Sequence, residues 1–380
     1  MSWEKVKLGD VSESCLGKML DQQKNRGEFH PYLANVNVRW GSFDLEDLPL
    51  MKFEDSEQER YGLKYGDLVV CEGGEPGRCA IWKNQIPNMK IQKALHRVRV
   101  SSDMDYRYLF YWFLYAGKRG ALDQYFTGAT IKHMPGEKLK QVLIDKPPLK
   151  EQKRIADILS AYDNLIENNQ KQIKLLEEAA QRLYKQWFID LRYPGHETTK
   201  IVDGIPQGWR KGIVGEIAEF KRGKVITKAQ VAEGNIPVVA GGLEPAYYHN
   251  TANTTAPVIT VSGSGANAGF AQLYNENVFA SDCSFADINT TPYVYFVYCL
   301  LKDKKTELDS LQKGAAQPHV YAKDINALAT LIPPEEMLKL YTKYASPYFE
   351  KVKALKEQIK NLTQSRDRLL PKMMNGELEV

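Results

Sequence analysis

The sequence predicts an α+β fold: two similar mixed α/β domains joined by two long helices packed as an antiparallel coiled coil, with a pseudo-two-fold internal repeat. Three observations predict it. Residues recur at a fixed shift along the chain, a long heptad seam follows each copy, and the centre of each copy holds short β-type runs around a Gly-rich turn.

The repeat organises the rest. Gly128-Ala129, His133, Leu139 and Pro147-Pro148 recur as Gly314-Ala315, His319, Ile325 and Pro333-Pro334, each 186 residues on. The same shift carries Gln172-Ile173 onto Gln358-Ile359 and Arg182-Leu183 onto Arg368-Leu369. Near the start the shift is 206, matching Trp3 and Leu8-Gly9-Asp10 to Trp209 and Val214-Gly215-Glu216. The copies therefore share flanks around centres of different length. At 380 residues the chain divides into a first domain over 1–150, a helix over 151–193, a second domain over 194–334 and a second helix over 335–380. Pro194-Gly195 and Gly204-Ile205-Pro206 mark the middle boundary.

Each domain centre reads as α+β. Residues 66–82 and 257–274 are β-type runs around Gly-rich turns, with further β-type runs near 32–40, 94–100, 236–240 and 278–285. Helices are expected from Tyr106 to Gly117 and from Pro292 to Lys302. In the first long helix, Ile155, Leu159, Tyr162, Ile166, Asn169, Ile173, Leu176, Ala180, Leu183 and Trp187 alternate spacings of four and three, the pattern of helix-on-helix packing. Some 35–40 such residues make a rod of roughly 55–60 Å. Asn169 on that seam is either a register pin or a polar side chain at a wet position. The shift of 186 places the second seam at Tyr341, Ala345, Tyr348, Val352, Leu355, Ile359, Leu362, Arg366, Leu369 and Met373. Ser346-Pro347 fits a cap followed by a first-turn proline, so a short helix is expected before a longer one over about 347–370 that Pro371 and Gly376 end. The two seams are expected to satisfy each other, the other possibility being a partner protein for each.

Several chemistries are excluded. Net charge is +4 with no basic tail, so any nucleic-acid surface must come from local clustering. No apolar run approaches the roughly 20 residues that span a bilayer, and the first residues hold no signal-peptide core, so a cytoplasmic protein is expected. The five cysteines form no CxxC pair and the six histidines show no ligand spacing, so no metal site is expected. Gly263-Ser264-Gly265-Ala266-Asn267-Ala268-Gly269 misses the GxGxxG spacing and leads into strand, and no GxxxxGK[ST] is present. Asp145-Lys146-Pro147-Pro148 departs from the Asp-Pro-Pro core of amino-methyltransferases at Lys146. No catalytic residues are predicted.

What remains suits binding. The DNA-contacting candidates of the first domain are Arg39, Arg78, Thr130, Lys132 and His133; those of the second are Lys221, Arg222, Tyr248, Ser264, Asn267, Gln317 and His319. Arg takes guanine bidentately, Asn or Gln takes adenine, and Lys or Arg on phosphates positions a domain without reading sequence. For Arg97 and Arg99, on an expected strand, internal pairing competes. The loops Gly128–His133 and Gly314–His319 are the strongest candidates, holding equivalent places with different residues between.

These residues resemble the specificity (S) subunit of bacterial type I restriction–modification systems. The carriers are Lys146-Pro147-Pro148-Leu149-Lys150-Glu151-Gln152-Lys153-Arg154-Ile155-Ala156-Asp157-Ile158-Leu159-Ser160, the stretch Ile173–Phe188, and Arg366-Asp367-Arg368-Leu369-Leu370-Pro371-Lys372-Met373-Met374-Asn375-Gly376-Glu377-Leu378. Trp3 with Leu8-Gly9-Asp10-Val11, and its copy at Trp209, match how such domains begin. The resemblance covers essentially the whole chain and implies two target-recognition domains, each followed by a conserved spacer helix and each reading one half of a split DNA site. It implies no catalysis and no cofactor in this chain. Its implied partners are double-stranded DNA, two methyltransferase subunits that bind S-adenosylmethionine, and two restriction subunits that use ATP and Mg. The second copy departs from the pattern: Pro333-Pro334-Glu335-Glu336-Met337 lacks the full Leu-x-Glu-Gln-x-Arg-Ile stretch, which leaves the equivalence of the two methyltransferase-docking surfaces open. Two other classes stay in view, a coiled-coil scaffold and a DNA-modifying enzyme with its own catalytic site.

Overall fold

The first domain is closed at its ends by a two-stranded antiparallel ladder, Glu4–Lys7 against Leu143–Lys146, which sets the Trp3 start beside the Pro147-Pro148 stop. The computed structural model describes residues 3–19, 21, 25–313 and 318–378. The chain forms two units, Met1–Glu167 with Ile359–Val380, and Asn168–Gln358.

In the first unit the β-type runs pair as a four-stranded antiparallel sheet in the order Ser12–Leu16, Leu95–Val100, Leu68–Cys71, Cys79–Ile81. A three-stranded sheet sets Glu28–Leu33 between Leu50–Phe53, antiparallel, and Lys90–Ile91, parallel. The helix Tyr106–Lys118 starts where the Asp105 carboxylate accepts from the Arg107 and Tyr108 backbone N–H groups. It buries Tyr108, Leu109, Phe110, Trp112 and Phe113. That face meets Leu68, Val70 and Val98 of the sheet, Ile155, Ala156 and Leu159 of the first long helix, and Leu370, Met373 and Met374 of the second. Removing that apolar area from water is the main stabilising term.

The second unit repeats the strand order. Lys221–Arg222, Cys283–Asp287, Val258–Ser262 and Ala271–Tyr274 form an antiparallel sheet, and Ile236–Val239 lies between Tyr247–His249, antiparallel, and Phe279–Ala280, parallel. Arg210–Ile213 pairs with Ala329–Ile332, as the first unit's end strands do. The helix Val294–Asp303 packs Phe296, Val297 and Leu300 into a core with Tyr184, Trp187, Phe188, Tyr341 and Phe349.

The first long helix runs Leu149–Tyr184 and passes into a π turn, Lys185–Ile189, short of the 193 expected. A π turn holds more residues per turn, and here the consecutive Trp187 and Phe188 are both buried. The second long helix corrects the sequence expectation. It is one helix, Glu335–Met374, and at 40 residues it is longer than the first helix's 36. Pro347 and Pro371 lie inside it. An interior proline removes one backbone bond and costs about 3 kcal/mol. The buried stripe Tyr341, Ala345, Phe349, Val352 and Leu355 offsets that cost, and Ser346 Oγ donates to the Thr342 carbonyl at 2.7 Å in the same turn.

The seam residues Ile155, Leu159, Ile166, Ile173, Leu176, Leu183, Val352, Leu355, Ile359, Leu362 and Leu369 are all buried or half-buried. Within the first unit Asp163 pairs with Arg366 at 2.5 Å. Within the second, Asn169 is buried and its Nδ2 donates to Gln358 Oε1 at 3.3 Å, Glu177 lies 3.8 Å from Lys356, and Tyr341 OH donates to the Ala180 carbonyl at 3.5 Å. The two helices therefore run in opposite directions inside that unit.

Candidate nucleic-acid interface

In the first unit the Gly-led loop closes on itself. Thr127 N–H donates to the His133 carbonyl at 2.8 Å and His133 N–H to the Thr127 carbonyl at 2.9 Å. Gly128 makes the turn with φ +92°, where a Cβ would stand 2.2 Å from the Ile131 carbonyl oxygen, so only glycine fits. The closed loop docks on the Gly-rich turn: Met134 N–H donates to the Glu72 carbonyl at 2.7 Å and His133 bridges Gly73. This leaves Thr130, Ile131, Lys132 and His133 exposed, with Lys132 3.6 Å from Asp123 and over the Phe126 ring.

The turn has its own support. Asn35 Nδ2 donates to the Gly73 carbonyl at 2.8 Å. Arg78 donates through Nη2 to Asn35 O and Oδ1 and through Nη1 to Glu75, and Trp40 Nε1 donates to Glu75 at 2.7 Å. Arg78 is thus only 18 % exposed and braces the turn from inside. Arg39 is exposed, bonded to the Val36 and Val38 carbonyls and 3.9 Å from Asp44.

The second unit sets the same parts together. Lys313 N–H donates to the His319 carbonyl at 3.0 Å and His319 N–H to the Lys313 carbonyl at 2.9 Å. Gly265 N–H donates to Pro318 O, Val320 N–H to Gly263 O, and His319 bridges Ser264. Residues 314–317, and with them Gln317, lie outside the described residues. Asn267 Nδ2 donates to the Gly241 carbonyl at 3.4 Å and Ser264 Oγ to Asp282. Lys221 and Arg222 lie on the edge strand, with Arg222 3.5 Å from Asp282. A cleft of about 200 Å³ opens here, lined by Arg222, Gly263, Asp282, Tyr321 and Lys323 among others. The His319 and Tyr321 rings are stacked, 6.1 Å apart. Tyr248 is exposed on the other sheet, opposite Pro237.

The structure therefore brings Arg78, Thr130, Lys132 and His133 to one loop-on-turn site, and Arg222, Ser264, Asn267 and His319 to another. Asn35, Glu75, Asp282, Tyr321 and Lys323 join them. Sequence reasoning missed these five because each meets the site through tertiary folding, Asn35 from 38 residues before Gly73. The strand residues turn inward: Arg97 donates to the Glu59 and Arg60 carbonyls and pairs with Glu13, and Arg99 pairs with Asp67. Burial lowers the pKa of His96 despite its bond to the Met134 carbonyl and nearby Glu72, so a neutral imidazole backs the first loop. Burial pushes the Cys71 thiol up to about 11 and those of Cys283 and Cys299 up to about 12. These three pack as protonated, small apolar side chains. Among the described residues no cluster of three metal-ligating side chains occurs, and no helix is long and apolar enough to cross a membrane.

What this arrangement offers chemically is polar and cationic side chains on rigid, Gly-permitted backbone, the means of reading base edges and gripping phosphates. Residues 1–178 and 206–364 match the family model described as the type I restriction modification DNA specificity domain. The type I restriction enzyme MjaIX specificity subunit of Methanocaldococcus jannaschii is 28% identical over 351 residues, 83% of this chain and 78% of the relative. The MjaVIII specificity subunit of the same organism is 27% identical over 240 residues, 62% of this chain and 53% of the relative. Among solved structures, the S subunit of the type I restriction–modification system from M. genitalium aligns over 98% of this chain and 96% of its own with a TM-score of 0.60 at 19% identity, a likeness of fold.

Proposed function

This chain belongs to the type I restriction–modification DNA specificity family, and on that premise we propose that each of its two units reads one half of a split DNA site. The chain is the specificity subunit of such a system, the DNA-recognition component that carries no catalysis of its own. The observation that carries the two-site reading is shared by both units: Thr127 and His133 pair and dock on Glu72–Arg78, and Lys313 and His319 pair with His319 beside Ser264. The recognition domains are residues 1–150 and 194–334, repeats of one another, and the equal strand orders support that reading. Their contacts are Arg39, Thr130, Lys132 and His133 in the first, with Arg78 bracing the turn beneath them, and Lys221, Arg222, Tyr248, Ser264, Asn267, Gln317 and His319 in the second.

The long helices, Leu149–Tyr184 and Glu335–Met374, pair as an antiparallel coiled coil that sets the spacer between half-sites; the seams, apolar but for Asn169 and Arg366, and the lengths of 36 and 40 residues support this. The same helices dock two methyltransferase subunits, which bring S-adenosylmethionine, and two restriction subunits bring ATP and Mg. The complex works on double-stranded DNA in the cytoplasm. Co-expression with the cognate methyltransferase, followed by mapping of methyladenine, tests the function. A split motif supports it, and no methylation beyond that of the methyltransferase alone refutes it.

A further inference from the structure

The loop-on-turn site of the second unit contains a carboxylate that is hydrogen-bonded to the turn and paired with a guanidinium. It is Asp282: its carboxylate accepts from Ser264 Oγ, its other oxygen lies 3.5 Å from Arg222 Nη2, and its backbone carbonyl accepts from Gly263 N–H. In the first unit the equivalent place before the strand is Ala94, whose carbonyl accepts from Glu72 N–H, and the turn's carboxylate is Glu75, which accepts from Trp40 Nε1 and from Arg78. Stability does not account for the Asp282–Arg222 pair. The Asp282 side chain is 35 % exposed and that of Arg222 61 %, and ion pairs in solvent contribute little. Beside a phosphate backbone a carboxylate also opposes binding, because like charges repel across a short gap.

We propose that Asp282 is a positioning residue for half-site recognition: it fixes the Ser264 turn and restrains Arg222 from gripping phosphate on any sequence. The proposal rests on the reading of the second unit as a DNA-recognition domain. Held by Asp282, Arg222 makes a partly neutralised contact, so non-cognate duplex gains little from it, while the correct half-site gains from a turn already in place. Geometry and charge are separable here, because Ser264 reports the first and Arg222 the second.

The test uses the full chain co-expressed with its methyltransferase partner, with methyladenine mapping, and the purified chain bound to matched and unrelated duplexes over a salt series. Asp282→Asn is expected to relax one half of the methylated motif and leave the other unchanged. It should also tighten binding to unrelated duplex roughly tenfold and steepen the salt dependence by about one phosphate contact. Adding Arg222→Gln to Asp282→Asn should return the salt dependence to that of the wild type. Ser264→Ala, which keeps every charge, should relax the same half without steepening it. An unchanged motif and salt slope in Asp282→Asn, or relaxation of both halves, overturns the proposal. Should Asp282→Asn lose the wild-type circular-dichroism melt, an unrelaxed motif in Ser264→Ala overturns it equally. A wild-type complex that methylates no split motif sinks the underlying reading instead.

Discussion

At the residue scale, the side chains that organise the chain are buried polar ones rather than the exposed candidates. Gln152 is fully buried; its Oε1 accepts from Asp105 N–H and its Nε2 donates to the Pro147 carbonyl, tying the start of the long helix to the first domain. The position 186 residues on is Leu338, buried and apolar, so the second unit makes this junction without that polar tie. Gln152→Leu should leave two buried backbone groups unsatisfied and cost about 1–3 kcal/mol in urea denaturation. His96 carries a pH prediction. Its folded pKa lies below the unfolded value of about 6.5, so protonation favours unfolding. Its contribution is fully present above that value and is lost as pH falls through it, by at most about 1.4 kcal/mol per pH unit. Denaturation between pH 7 and 5 should show a shallower loss for His96→Gln than for the wild type; equal slopes would contradict the assignment.

At the scale of elements, the sequence made the repeating parts legible and left the connections hidden. The strands around each Gly-rich turn lie where the β-type runs put them, and the helices Tyr106–Lys118 and Val294–Asp303 lie within two residues of the expected bounds, because local pattern decides short, half-buried elements. Pro347 misled the reading of the last helix because tertiary burial of Tyr341, Ala345 and Phe349 outweighs a local break. Pro347→Ala should therefore raise the stability of the chain, by up to about 3 kcal/mol, in the same denaturation assay. The loops were recognisable as Gly-led and equivalent, but the residues that brace them were not, since Asn35 and Asp282 reach the turns only through the sheets. Removing one heptad from each long helix at facing positions shortens the rod by about 10 Å, or about three base pairs. The methylated motif should keep both halves with a correspondingly shorter spacer, and an unchanged spacer would end the ruler idea.

At the scale of the whole molecule, a net charge of +4 over 380 residues gives no strong electrostatic grip on DNA. The chain alone should bind DNA weakly and with marked salt sensitivity, tightening when partner subunits add their own contacts. On the proposed division of labour it should also give no heat on titration with S-adenosylmethionine. The central claim is that each unit reads its own half-site through its docked loop. Its most direct test is single-molecule mapping of methyladenine from the co-expressed complex, with wild type, Lys132→Ala/His133→Ala and Gln317→Ala/His319→Ala compared. The account predicts a split motif whose one half relaxes in the first variant and whose other half relaxes in the second. A contiguous motif, or both halves relaxing together in either variant, would contradict it.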